Sequence, residues 1–267
     1  ASRLGQRNSV LIGNTAGAAI RAGEWALAAM LLDEALMDDY EAAARAELLT
    51  SAIEYNALVG EPTHEQIAEV RRLIGQTSDA MRLATLEWSE GWAAFGEGRL
   101  AEARTHWRRG IATVRSPEDL PFAARAALWA GDVASARLDL DELDASGVHG
   151  PALEADRTTI RAGIEAMEGH PAEALVLYRE ALRAWRDLGL AWDEALCGVD
   201  MATLLDPFEP EVRAAAETAR EILGRLGAKP VLARLDAALA EPHALSVPAS
   251  APRVRQQVPA ETVPGDA

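Results

Sequence analysis

Apolar residues recur at intervals of three and four along almost all of the first 240 positions, in runs separated by short turns. That spacing sets the apolar side chains on one stripe of an α-helix. Alternation with period two is nearly absent, so almost no sheet is expected. The run over residues 8–22 stops at Gly23, a residue suited to the left-handed position that closes a helix. Glu24 then sets a negative charge at the start of the next helix, where the dipole favours it. That helix, residues 25–37, carries Ala28, Leu31, Leu32, Ala35 and Leu36 on one stripe. Together the two runs predict a helical hairpin.

Five more hairpins follow by the same reading. They are 41–59 with 64–74, 78–95 with 100–114, 118–130 with 133–145, 153–168 with 172–188, and 191–205 with 211–226; a short helix over 230–240 ends the series. Thr63 followed by Gln66 has the form of a capping box. Ser116-Pro117-Glu118-Asp119 and Pro171 have the form of helix starts, where a missing N–H costs nothing. Gly147-Val148-His149-Gly150-Pro151 is the strongest internal break. It is read as a long inter-repeat loop rather than a domain boundary, because the register continues across it.

The hairpins repeat one another. Gly23/Ala28, Gly98/Ala103, Gly131/Ala136 and Gly169/Ala174 share one spacing, and a bulky residue follows four positions on: Leu32, Trp107, Leu140 and Tyr178. With Gly60 and Asp206 at the equivalent turns, the steps are 37, 38, 33, 38 and 37 residues. A period of this size denotes stacked copies of one supersecondary unit. The alanine marks where the helices of a hairpin touch, and the bulky residue fills the space toward the next hairpin. This pattern resembles the tetratricopeptide signature over residues 8–226. It departs at Glu65, which stands where alanine is expected, at Asp206, which replaces the turn glycine, and in the Trp-Leu-Gly element, of which Gly91 alone is clearly in place. The resemblance implies an all-α right-handed solenoid of five to six hairpins, with the first helix of each facing a concave groove.

A narrower resemblance is carried by Leu11-Ile12-Gly13-Asn14 through Gly23-Glu24-Trp25, by Leu188-Gly189-Leu190-Ala191-Trp192, and by residues 219–230. These look like the C-terminal repeat region of large bacterial regulators. There, an adenylate/guanylate cyclase or LuxR-type DNA-binding domain accompanies a P-loop ATPase module. No cyclase or ATPase residue is present to carry over, and no helix-turn-helix follows the repeats; the absent DNA-binding end favours the cyclase-type parent.

Composition narrows the function. Asp plus Glu outnumber Lys plus Arg by 42 to 26, a net charge of −16, which repels phosphate backbones and anionic lipid. Neither nucleic acid nor membrane is an expected partner, and no apolar run reaches 18 residues. The single cysteine, Cys197, excludes an internal disulfide and fits a reducing cytoplasm. No signal-peptide pattern is visible, and the opening residue, Ala1, fits a processed product or a piece of a longer protein. Five prolines within residues 241–267 predict a disordered tail beyond a solenoid over 1–240.

Candidate chemistry is sparse. His64, His106, His149, His170 and His243 stand at no ligand spacing, so no metal is expected. Gly96-Glu97-Gly98 follows a helix and lacks the further glycine and lysine of a phosphate loop, so it is read as a tight turn. The acids Asp33/Glu34/Asp38/Asp39/Glu41 and Asp139/Asp141/Glu142/Asp144 lie along helices and are read as solvated faces. One helix stands out. Leu83, Leu86, Ala93 and Ala94 form one apolar side; Trp88, Trp92 and Phe95 form a second. The second side either packs on the next repeat or lines the groove as partner-binding anchors, with Arg125 and Trp129 extending it. No catalytic residue and no cofactor is expected. The chain reads as a protein–protein interaction module of a bacterial signalling protein, holding a peptide, a partner or a neighbouring domain of its parent. The alternatives are an oligomerisation scaffold and an enzyme on a helical-repeat frame.

Overall fold

The computed structural model describes residues 2–75 and 78–240; the tail expected at 241–267 lies outside the described residues. Among the described residues the chain is all-helical, with thirteen α-helices, one 3-10 turn and no strand. The helices pack as consecutive pairs: α1 (Ser2–Ala22) with α2 (Trp25–Leu36), α3 (Ala42–Val59) with α4 (His64–Ile74), and α5 (Ala80–Gly96) with α6 (Leu100–Val114). The 3-10 turn Pro117–Asp119 leads into α7 (Leu120–Trp129), which packs on α8 (Val133–Ala145). Then come α9 (Pro151–Met167) with α10 (Pro171–Leu188), α11 (Ala191–Leu204) with α12 (Pro210–Leu226), and α13 (Lys229–Ala240).

The repeat spacing has the physical meaning read from the sequence. Gly23, Gly98, Gly131 and Gly169 take φ between +75° and +86°, the region that a side chain disfavours. Ala28, Ala103, Ala136 and Ala174 are fully buried, and Leu32, Trp107, Leu140 and Tyr178 fill the core beside them. Across the break at 147–150, Arg157 ties the loop down: its Nη2 donates to the carbonyls of Leu143 (3.0 Å) and Val148 (2.7 Å).

Three expectations change. Thr63 does precede α4, but with φ −112° and ψ −5° it is already helical, so its hydroxyl makes no capping bond. Gln66 is instead used by Asn56, whose Nδ2 donates to Oε1 at 2.9 Å. Asp139, placed on a solvated face, is 1% exposed; the guanidinium of Arg104 on α6 holds it through Nε (2.8 Å) and Nη2 (2.9 Å). On α5, Ala93 and Ala94 are buried, but Leu83, expected beside them, is exposed.

The sixth pair returns to the first. Ring centroids of Trp25 and Trp192 lie 5.2 Å apart, and a Cβ on Gly23 would stand 3.1 Å from that of Ala191. Arg21 on α1 binds Asp193 on α11 in bidentate fashion (3.0 and 2.8 Å), with Asp156 on α9 at 3.7 Å. Next to them Arg125 Nε donates to Asp200 Oδ2 at 3.1 Å and Trp129 Nε1 to Asp200 Oδ1 at 2.6 Å. Arg234 on α13 stacks 4.6 Å over the Trp129 ring. Burial pulls Arg125 down, yet Asp200, Asp156 and Asp193 outweigh it and hold it charged. A charge buried in this way is tolerated only while paired.

Truncation of Asp200 tests this closure. Asp200→Ala leaves Arg125 and the Trp129 indole without an acceptor and is expected to cost roughly 3–5 kcal/mol of unfolding free energy. Asp200→Asn, which keeps an acceptor for Trp129, should cost less. Urea denaturation of both reads the difference; a loss under about 1 kcal/mol in the alanine variant would remove the cluster from the closure.

Candidate functional site

Around α7, α9 and α11 the interior is filled by the ionic and aromatic cluster above. On the other side, α1, α3 and α5 diverge around a cleft of about 720 Å³, floored by α6 and the start of α7. This is within the usual range for a ligand or side-chain pocket.

Three stripes with helical spacing face the cleft. From α1 come Ser9, Val10, Gly13, Asn14, Gly17 and Ala18, small enough that α1 approaches closely: a Cβ on Gly13 would stand 3.2 Å from Ser51 Oγ. From α3 come Glu47, Thr50, Ser51 and Glu54. From α5 come Met81, Thr85, Trp88 and Trp92, and Trp107 of α6 and Phe122 of α7 complete the wall. Trp92 meets Trp107 and Phe122 edge-on, with centroids 5.1 and 5.2 Å apart. These offset contacts suit the ring quadrupoles.

Two glycines seat the aromatic wall. A Cβ on Gly110 of α6 would stand 2.9 Å from Trp88 Nε1, and one on Gly91 of α5 would stand 2.5 Å from Trp107 Cδ1. Each helix thus lends a glycine to the other's tryptophan, and the two rings are held at fixed angles. Gly91→Ala is expected to push Trp107 off its seat and lower stability by about 1–3 kcal/mol, with a shift in indole fluorescence. An unchanged spectrum and midpoint would show that the wall relaxes freely.

The acids are the unusual feature. The hydroxyls of Thr50 and Thr85 are satisfied by carbonyls one turn back, at 3.0 and 2.9 Å. Glu54 is half-buried and makes no hydrogen bond or ion pair among the described residues. Burial, then the charge of Asp119, pushes its carboxyl up to about 8, against a smaller pull from Arg21. Burial raises Asp119 to about 6. Glu47 is also raised by burial; Ser9 hydrogen-bonds it, but its Oε2 is buried without a partner among the described residues.

The sequence-derived candidates divide. Trp88 and Trp92 line the cleft. Phe95 does not; it stacks on Trp129 (5.6 Å) inside the core. Arg125 and Trp129 are buried and occupied by Asp200, so neither offers surface to a partner. Glu47 and Glu54 were not among the candidates, and Asp119 was read only as part of a helix start, though the polar stripe 47, 50, 54 on an otherwise apolar helix was the available signal. Glu165, Glu168 and His170 converge closely enough to hold a cation, but Glu168 and His170 are exposed, and His170 already pairs with Glu165 at 2.7 Å and Glu168 with Arg137. The Cys197 thiol is buried and pushed well up by burial, which makes it unreactive. Among the described residues no helix is long and apolar enough to cross a membrane.

The chain matches no model of a known protein family, and no curated protein matches it.

Unpaired, half-buried carboxyls cost stability, as residues kept for binding often do. A carboxyl whose folded value lies above its unfolded value favours the fold at low pH and loses that contribution as pH rises to about 8. Glu54→Gln is therefore expected to raise the melting temperature, with a gain that grows from about pH 4.5 to about pH 8 and is flat above. Thermal melts of both proteins across that range check it; a gain independent of pH would assign the effect to something other than the buried charge.

Proposed function

We propose that this chain is a non-catalytic interaction module, a right-handed tetratricopeptide-like solenoid that holds a segment of a partner protein, or of a neighbouring domain of its parent, in the cleft between α1, α3 and α5. One observation carries the reading: an aromatic-walled cleft that opens through an apolar rim. Val10 and Met81 line that mouth and are 47% and 50% exposed. A rigid aromatic wall offers large contact area with little entropy to lose, which is what anchors in interfaces need. The paired helices, their glycine–alanine turns and the near-constant period support the solenoid. Resemblance to the repeat region of bacterial cyclase-type or LuxR-type regulators supports a cytoplasmic signalling role, in which occupancy of the cleft governs a neighbouring module.

A second reading draws on the same cleft. Glu54 and Asp119 have raised values about two units apart, the kind of split that separates a general acid from a base. Against an enzyme, among the described residues no histidine, lysine, arginine or cysteine lines the cleft. Its wall is built of helices, whose interior N–H groups are already used in their own ladders and stabilise no developing oxyanion. Binding uses everything the cleft has; catalysis needs parts it lacks.

Gly17 gives a clean test. A Cβ there meets nothing within 4 Å, so a larger side chain enters the cleft without a clash. Gly17→Leu should keep or raise the melting temperature, since leucine favours a helix by roughly 0.5–1 kcal/mol over glycine. Peptides selected against the native protein by display should bind Gly17→Leu at least about tenfold more weakly, a loss of about 1.4 kcal/mol of contact. Undiminished binding would move the partner site off the cleft, and a self-association constant changed by the same substitution would favour the oligomerisation scaffold.

A further inference from the structure

The cleft also carries information about what enters it, provided that it is the binding site proposed above. Three carboxyls, Glu47, Glu54 and Asp119, line it, and among the described residues no basic side chain does. Arg21, whose charge reaches Glu54, is engaged by Asp193 and Asp156. Facing the acids are the rings of Trp88, Trp92, Trp107 and Phe122. Aromatic faces attract a cation, and a desolvated carboxyl attracts it further. We propose that the occupant anchors through a lysine or arginine side chain of a partner segment, its cationic head at Glu54 and Asp119 and its methylene stem along the aromatic wall.

Two observations favour a protein side chain over a free amine. The exposed apolar rim at Val10 and Met81 is covered by a peptide backbone and its neighbouring residues, whereas a small cation leaves it bare. The chain's net charge of −16 steers basic surfaces toward it. Stem and head also match the two kinds of lining, rings and carboxyls, since a long basic side chain lays an apolar stem on apolar surface and keeps its charge at a polar end.

Binding is coupled to a proton. Near pH 7 Glu54 holds one, because its carboxyl lies near 8. The groups facing it are Asp119 from the 3-10 turn and Arg21 from α1, with Glu47 on its own helix; α5, α6 and α7 contribute Met81, Thr85, Trp88, Trp92, Trp107 and Phe122, none of which titrates in this range. A cation seated at Glu54 displaces that proton to solvent, so affinity rises by about tenfold per pH unit between about 6.5 and 7.5 and levels above about 8.

The experiment uses the whole chain and blocked tripeptides glycyl-X-glycine, with X lysine, arginine or the neutral isostere norleucine. Indole fluorescence and calorimetry, the latter in two buffers of different ionisation enthalpy, read binding and proton release. Lysine and arginine peptides are expected to bind at least about tenfold more tightly than the norleucine peptide, and Glu54→Gln, which removes the titrating proton, should abolish both the preference and the pH slope. Equal binding of lysine and norleucine peptides, lost in Gly17→Leu, would leave the cleft as the binding site and overturn the cationic anchor. Lysine peptides that bind Gly17→Leu undiminished would overturn both readings. The absence of binding by any of the three would overturn the anchor, and n-butylammonium binding as tightly as the lysine peptide would replace the partner segment by a small amine.

Discussion

The structure depends on the contact that brings α11 back against α1. Stacked helical hairpins need only their sequence neighbours, and nothing in the stacking itself requires the last pair to touch the first. Here Arg21 reaches Asp193, Trp25 packs on Trp192, and Gly23 is small enough for Ala191 to lie against it. Once closed, the far side of the interior becomes a core. Its charges must pair, and Arg21 does so with Asp193 and Asp156, and Arg125 with Asp200. The Coulomb gain in a dry interior roughly offsets desolvation, so such a cluster adds specificity of arrangement more than stability. It fixes which helices meet.

That closure sets the place where binding is possible. With α7, α9 and α11 packed around the ionic cluster, a cleft remains between α1, α3 and α5. The walls of this gap obey ordinary packing rules. Glycines and alanines on α1 let it lie close to α3, while the paired glycines Gly91 and Gly110 hold two tryptophans in fixed orientation. Its acids break those rules. A carboxyl such as Glu54, half-buried and raised by that burial, lowers stability, and natural sequences retain such residues at sites that do something. Acids, aromatic rings and an apolar rim are the features on which the proposed receptor for a cation on an apolar stem rests.

Much of this was legible in the chain. The six hairpins follow from turn glycines, buried alanines and bulky residues repeating at a near-constant step, because each marks a purely local requirement: a left-handed turn, a close helix crossing, a filled gap. Helix ends follow for the same reason, apart from α1, which begins at Ser2 instead of residue 8. The tryptophans of α5 were visible as a second apolar side on one helix. Which of them would face the cleft was open, because a helix surrounded by neighbours on two sides buries both stripes, and only the neighbours decide which stripe keeps a gap.

Local sequence determined an all-helical chain, its hairpin pairing and its step, since those depend on contacts within some forty residues. Tertiary structure decided what those hairpins enclose. Arg125 and Trp129 read as surface and are core, because Asp200 arrives from 71 to 75 residues away to bind them. Glu54 carried no distinguishing mark in the sequence of an acidic protein. It became the centre of the cleft when α1, α5 and the turn before α7 closed around it, since burial is a property of what surrounds a residue and is written nowhere in its own helix.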